Sequence, residues 1–239
     1  MDKIFEPHSN MEVDKVEDLD IQNIVLTTFT VTKVKTKTLS SDGNSLNFHI
    51  LPKSCFSLKV MQEIPILVVL MYQLFKTNIH KDVSEFIPLI MEFINLCPPE
   101  EAKLSPLFNN DIFIDFLAAQ VKTLSFLAYV VKIFQDLIEK YSFNLVQGMM
   151  NLLVNCPPKV TNMRKEFFIA TRHILSVPEI RPKFVDVLDL LMDEDILIGQ
   201  GFTVRDSLRP LAYSTLADLT HHIRNDLTLM KIASAVDLY

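Results

Sequence analysis

Apolar and polar positions change their pattern near residue 57 of this 239-residue chain. Ahead of it lie an acidic patch at Glu17, Asp18 and Asp20, a threonine-rich stretch over residues 27–38, and a polar turn at Ser40 to Gly43. Residues 21–32 have the β-branched content of a strand, but no nearby segment offers a clear partner, and an isolated strand is not stable in water. Residues 1–56 therefore read as a flexible, mostly disordered N-terminal arm.

From Ser57 onward the apolar residues recur at helical spacing. Ser57 is placed to cap a helix reaching about residue 77, with Pro65 kinking it two turns in. A second helix follows over about 82–95. Residues 111 to about 140 are apolar almost all round, with charges confined to Asp111, Asp115, Lys122, Lys132, Asp136, Glu139 and Lys140, the mark of a helix packed on several sides. Residues 142–155 read as its shorter partner. Met163, Phe167, Ala170, Ile174 and Val177 step by four, three, four and three, so they share one helical face. Pro182 opens a further helix to about residue 193. Thr203 with Asp206 resembles a capping box ahead of a helix through Arg224, on which Leu211 shares an apolar face with Val204 and Leu208. A last helix starts near Thr228.

These helices pair as long and short antiparallel partners beginning near residues 57, 110, 161 and 203, a spacing of roughly 40 to 50 residues that matches HEAT-type repeats. Asn95-Leu-Cys-Pro-Pro99 and Val154-Asn-Cys-Pro-Pro158 echo one another, each ending a short helix before a longer one. Residues 57–239 thus read as an all-α, HEAT-like solenoid segment of about four helix pairs, in which each pair covers the apolar face of the next.

Composition narrows the function. Only four glycines occur, Gly43, Gly148, Gly199 and Gly201. A phosphate-cradling loop needs two or three within six residues, and Val204 stands where a third would follow Gly199 and Gly201, so nucleotide binding through such a loop is excluded. With 49% apolar and 22% charged residues, the chain can bury a core. A formal charge of −6 argues against a generic electrostatic grip on nucleic acid. Cys55, Cys97 and Cys156 are odd in number and spaced unlike a metal knuckle or redox pair, which fits a reducing compartment. Charged and polar residues follow Met1 directly, so no secretory signal is read. The hydrophobic stretches read as too short to span a bilayer, the uncharged run over 141–158 being broken by three asparagines, a glutamine and two prolines. A soluble intracellular protein without membrane contact is expected.

Candidate chemistry is sparse. His221 and His222 are adjacent, so on a helix they point about 100° apart and cannot share one metal ion by themselves. Asp186, Asp189 and Asp193 recur at helical spacing, but Val187, Leu188 and Leu191 between them describe a buried face whose solvated side the acids form. Asp193-Glu194-Asp195 lacks the glycine and alternating ligands of a calcium loop. Cys156 has no histidine near it in sequence, His173 reads as an edge residue, and no serine lies in a nucleophile elbow. Arg164, Lys165, Arg172, Arg181 and Lys183 form the most basic neighbourhood, readable as a solvated face or as a surface for an acidic partner segment. No catalytic, cofactor-binding or metal residue is assigned.

The run Leu208-Arg-Pro-Leu-Ala-Tyr-Ser-Thr-Leu-Ala-Asp218 resembles the TRRAP (transformation/transcription domain-associated protein) family. Matching stretches in the same order are Ser57-Leu-Lys-Val-Met-Gln-Glu63, Val68-Val-Leu-Met-Tyr-Gln-Leu74, Ala118-Ala-Gln-Val-Lys-Thr-Leu-Ser-Phe-Leu-Ala-Tyr129, Arg164-Lys-Glu166 and Asp193-Glu-Asp-Ile-Leu-Ile-Gly199. The resemblance covers about residues 57–239. It implies a piece of the helical-repeat region, remote from the kinase-like and catalytically dead domain at the family's C-terminal end. It further implies a non-catalytic, nuclear scaffold of transcription coactivators, binding subunits of SAGA-type and MYST-type histone acetyltransferase complexes and transcription activators, with no cofactor. The alternative is a free-standing HEAT-type transport or regulatory adaptor. Thr220, Thr171 and Arg172 depart from the family pattern of valine, alanine and lysine, and residues 1–56 match nothing in it. No family motif in this segment specifies activator contacts, so the partner-binding residues stay unassigned.

Overall fold

The computed structural model describes residues 5–7, 37–41, 44–50, 52–98, 103–104, 110–157 and 159–238. It comprises two compact units, Met1–Met61 with Leu96–Phe116, and Gln62–Asn95 with Leu117–Tyr239.

In the first unit, β1 (Phe5–Pro7), β2 (Lys37–Ser41) and β3 (Asn44–Ile50) form an antiparallel sheet in the order β1-β3-β2. Ser41 stands opposite Asn44 and Phe5 opposite Ile50; of the polar turn expected at Ser40 to Gly43, Ser40 and Ser41 belong to β2 and the rest lies outside the described residues. These strands were not read from the sequence, although Leu46, Phe48 and Ile50 alternate with Ser45, Asn47 and His49, a period of two. The acidic patch and the candidate strand over 21–32 lie outside the described residues.

The other described elements are helices. Helix α1 spans Pro52–Asn95 and begins ahead of Ser57, which therefore is not its cap. The two helices expected on either side of residues 78–81 are its two arms, with the break between them a few residues earlier than expected. The backbone leaves helical geometry inside α1 at Phe75 (φ −125°, ψ 32°), where two arms meet at a kink. Across that kink the Tyr72 hydroxyl lies 3.0 Å from Nδ1 of His80, and the His80 ring stacks on buried Phe134 at 4.6 Å.

Helix α2 (Asn110–Val130) ends ten residues earlier than its apolar pattern suggested, and α3 (Gln135–Glu139) follows a turn. The Val130 carbonyl accepts from the amides of both Ile133 and Phe134. Val130, Val131 and Ile133 are β-branched, which weakens a helix where the chain has a turn available. Helix α4 (Ser142–Asn155) lies where expected, and α5 (Thr161–Ile174) carries four of the five stripe residues, Val177 falling in the bend after it; all five are buried. The helix expected from Pro182 is a 3₁₀ turn, Arg181–Val187, running into the short α6 (Leu188–Leu191). Its period of three suits Phe184 inward with Arg181 and Val187 half-buried on the same side. Helix α7 (Glu194–Leu197) is capped by Asp193, whose carboxylate accepts from the Asp195 amide at 2.9 Å.

Helix α8 (Phe202–Ile223) packs against α5. Its N-cap is Gly201 at φ 110°, so Thr203 lies inside the first turn and is not the cap. Leu208, Ala212, Leu216, Leu219 and Ile223 form its buried face, while Leu211, placed in the core by sequence, is half-buried. Helix α9 (Leu229–Leu238) starts as expected, with the Thr228 hydroxyl accepting from the Lys231 amide at 3.3 Å.

The echoed sequence pair is also an echo in structure. Asn95 and Asn155 each donate from Nδ2 to the carbonyl four residues earlier, Met91 and Asn151, both at 2.7 Å. Two helices thus end by the same device one repeat apart.

Candidate interaction surfaces

The basic neighbourhood is mostly internal mortar. Arg164, in the first turn of α5, is 2% exposed and donates to the Ile196 and Cys156 carbonyls at 2.8 Å. Arg181 donates to the Leu175 and Ser176 carbonyls at 2.6 and 3.2 Å, closing the C-terminal end of α5. Arg172 pairs with Asp218 of α8 at 2.8 Å. Each serves a helix end or a helix–helix contact, where free carbonyls and partial negative charge collect. Lys183 is exposed and Lys165 half-buried, so these five residues do not share one solvated face.

The other candidate groups do not assemble into chemistry. The rings of His221 and His222 meet edge to face at 5.7 Å, and Nε2 of His221 lies 3.1 Å from the Arg224 guanidinium. Partial desolvation, then Arg181 and His221, hold His222 below the ordinary imidazole value. Asp189 pairs with Lys231 at 3.2 Å and Asp193 is a helix cap, so the aspartate series splits into separate structural tasks. Among the described residues no group of three histidine, cysteine or acidic side chains is placed to hold a metal ion. Burial pushes the Cys156 thiol up to about 11, against the opposing pull of Arg164, which keeps it protonated and poorly nucleophilic at neutral pH. Between α5 and α8 there is a cavity of about 20 Å³ lined by residues such as Phe168, Phe184 and Leu216. It is far below the size of a small-molecule site.

What sequence reasoning missed is an apolar surface. On the first arm of α1, Ile64, Ile66, Leu67, Leu70, Met71, Leu74 and Phe75 are all exposed, more than the isolated apolar residues a monomer ordinarily shows. The signal was present in the run from Ile64 to Leu74, which is apolar on every side of the helix. On α9, Leu229, Met230 and Val236 are likewise exposed, while Lys231 anchors the helix by donating to the Val185 carbonyl at 3.0 Å.

Two helices, Leu58–Asn95 and Asn110–Val130, are long and apolar enough to cross a membrane by length and composition. That corrects the expectation that every hydrophobic stretch is too short. The longest apolar runs lie in α1 and α2, not over residues 141–158. Helix α2 is an interior helix, with its Gln120 side chain buried and donating to the Phe93 carbonyl at 2.7 Å.

The described residues thus present helix ends and stacked apolar faces. The family model described as the Tra1 HEAT repeat central region matches residues 112–239. The chain belongs to the Tra1 HEAT repeat central region family. Among its curated relatives, the zebrafish (Danio rerio) transformation/transcription domain-associated protein is 52% identical over 86% of this chain and 5% of the relative. The human (Homo sapiens) protein of the same name is 50% identical over 88% of this chain and 5% of its own length. A Saccharomyces cerevisiae relative named as a SAGA complex/NuA4 acetyltransferase complex subunit is 36% identical over 82% of this chain and 6% of its own. The chain therefore spans about a twentieth of the length of the relatives it matches. No solved structure matches it. The resemblance read from Leu208 to Asp218 is thus confirmed, and with it the HEAT-type character of the helical region.

Proposed function

We propose that this Tra1-family chain is a non-catalytic scaffold segment of a transcription coactivator, working in the nucleus within histone acetyltransferase complexes. The observation that carries the reading is family membership through the HEAT region, together with yeast relatives named as SAGA and NuA4 subunits. The helical-repeat surface then binds protein subunits of SAGA-type and MYST-type complexes and transcription activators. Neither nucleic acid nor membrane is a direct partner, and residues 57–239 act as the repeat segment with residues 1–56 as an appended arm. The absence of a reactive group among the described side chains is compatible with this role, in which fixed surfaces supply binding energy through a few apolar anchors.

Affinity purification of the tagged chain from nuclear extract, after mild cross-linking, tests the proposal. Acetyltransferase-complex subunits should be enriched over a control in which the buried residues Phe168 and Leu216 are replaced by aspartate. Recovery of importin-type receptors without any acetyltransferase subunit would overturn it in favour of a transport adaptor.

A further inference from the structure

Arg164 is a cation in the wrong place for its own helix. It lies in the first turn of α5, where the partial charge of the helix end is positive, and it is almost wholly buried. Among the described residues no carboxylate pairs with it. Instead, Nη2 donates to the Leu153 and Cys156 carbonyls at 3.3 and 2.8 Å, and Nη1 donates to those of Ile196 and Leu197 at 2.8 and 3.4 Å. Leu153 and Cys156 end α4; Ile196 and Leu197 end α7. These are carbonyls that a helix terminus leaves without an intrahelical partner, and both termini direct partial negative charge at the guanidinium.

We propose that Arg164 is a joint lock of the solenoid, a positioning residue that ties the end of the α4–α5 helix pair to the segment over residues 188–199 and holds their angle fixed. The planar fork is what the role requires, since two nitrogens on one rigid plane reach two different helix ends at once. The neighbouring backbone supports this. Gly199 is buried at φ 95°, and a Cβ there would stand 3.4 Å from Cζ of Arg164, so the chain leaving α7 passes against the guanidinium on a residue that has no side chain. Cys156 does not supply a counter-charge, because burial keeps its thiol protonated. Arg164 Nε is buried without a partner, an unfavourable feature retained alongside the four carbonyl contacts. A residue that only filled the core would have no reason to be an arginine.

The test is hydrogen exchange on the full chain with Arg164→Met, Arg164→Lys and Gly199→Ala. The probes are the amides of residues 196–199, which bond back to Asp193 and Glu194, compared with those of α2. Arg164→Met should speed exchange at 196–199 by about tenfold to a hundredfold, the range expected for losing charge-assisted hydrogen bonds, while α2 keeps its protection. Arg164→Lys should behave like Met, because a single ammonium cannot span both helix ends. Gly199→Ala, which keeps the arginine, should loosen the same amides. Unchanged exchange at 196–199, full rescue by lysine, or equal acceleration in α2 would each overturn the proposal. If Arg164→Met does not fold, the lysine and Gly199 variants decide by the same criteria.

Discussion

Ile87 and Leu70 stand on one helix, equally apolar, yet Ile87 is fully buried and Leu70 is 50% exposed. The difference runs along both arms of α1. On the second arm, Val83, Ile87, Met91 and Ile94 are buried, and the helix end is held by Gln120 of α2 and by Asn95, whose Nδ2 donates to the Asn144 carbonyl at 2.9 Å. On the first arm the covered side narrows to positions such as Pro65 and Tyr72, and the remaining apolar side chains face outward. Apolarity states that a face gains by being covered; it does not state that this chain supplies the cover. In a repeat protein the cover comes from a neighbour, and the two arms of α1 show a covered and an uncovered apolar face in one helix.

The largest expected effect would break this comparison outright. Ile87→Ala should cost about 2 to 5 kcal/mol, as for truncation in a packed core, whereas Leu70→Ala should stay within about 0.5 kcal/mol, as for a surface change. Urea unfolding at low protein concentration measures both. Equal losses would mean that the first arm is covered too. Next comes the contact between the second arm and α4. A Cβ on Gly148 would meet Cγ2 of Ile94 at 2.7 Å and the Asn95 amide at 3.1 Å, too close for a real side chain to sit without movement. Gly148→Ala should therefore cost about 1 to 3 kcal/mol by overpacking, despite alanine's better helix propensity. A stabilised protein would show that the α1–α4 contact yields easily.

These arms also show what was legible in the sequence. The stripe of Met163, Phe167, Ala170 and Ile174 could be read because one face is apolar and the opposite one polar, a contrast that periodicity detects. On the first arm of α1 both faces are apolar, so periodicity could not tell the covered side from the open one. The family could be read because Leu208 to Asp218 preserves a long string. The role of Arg164 could not, since sequence proximity to Lys165 and Arg172 grouped it with solvated charges. Its one clue was a cation in a helix's first turn within a buried pattern. The kink at Phe75 has no proline or glycine to announce it, and the turn at Val131 to Phe134 is marked only by β-branched residues.

The open faces predict association. Exposed apolar side chains on the first arm and on α9 should draw copies of the isolated chain together, and Leu70→Glu with Leu74→Glu should weaken that association about tenfold, or about 1.4 kcal/mol. Light scattering across a concentration series is the measurement. A wild-type chain that stays monomeric throughout would mean that these faces are too dispersed to pair, and would separate exposure from stickiness in the comparison.

The smallest effect concerns whether local signals or neighbours set the helix ends. The Thr228 hydroxyl accepts from the Lys231 amide ahead of α9, an exposed helix with few buried residues, so local capping matters there and Thr228→Ala should cost about 0.5 to 2 kcal/mol. Helix α8 begins differently. Gly201 occupies its N-cap with no side chain to offer, and the helix is held by the face running from Leu208 to Ile223 against α5. Thr203 falls inside the first turn, where alanine is the better helix former, so Thr203→Ala should change stability by no more than about 0.5 kcal/mol, in the stabilising direction. Thermal unfolding of the two variants side by side gives the contrast. A loss at Thr203 as large as that at Thr228 would mean that α8, although covered along its length, still depends on a threonine cap, and that burial by a neighbour does not replace local signals at helix ends.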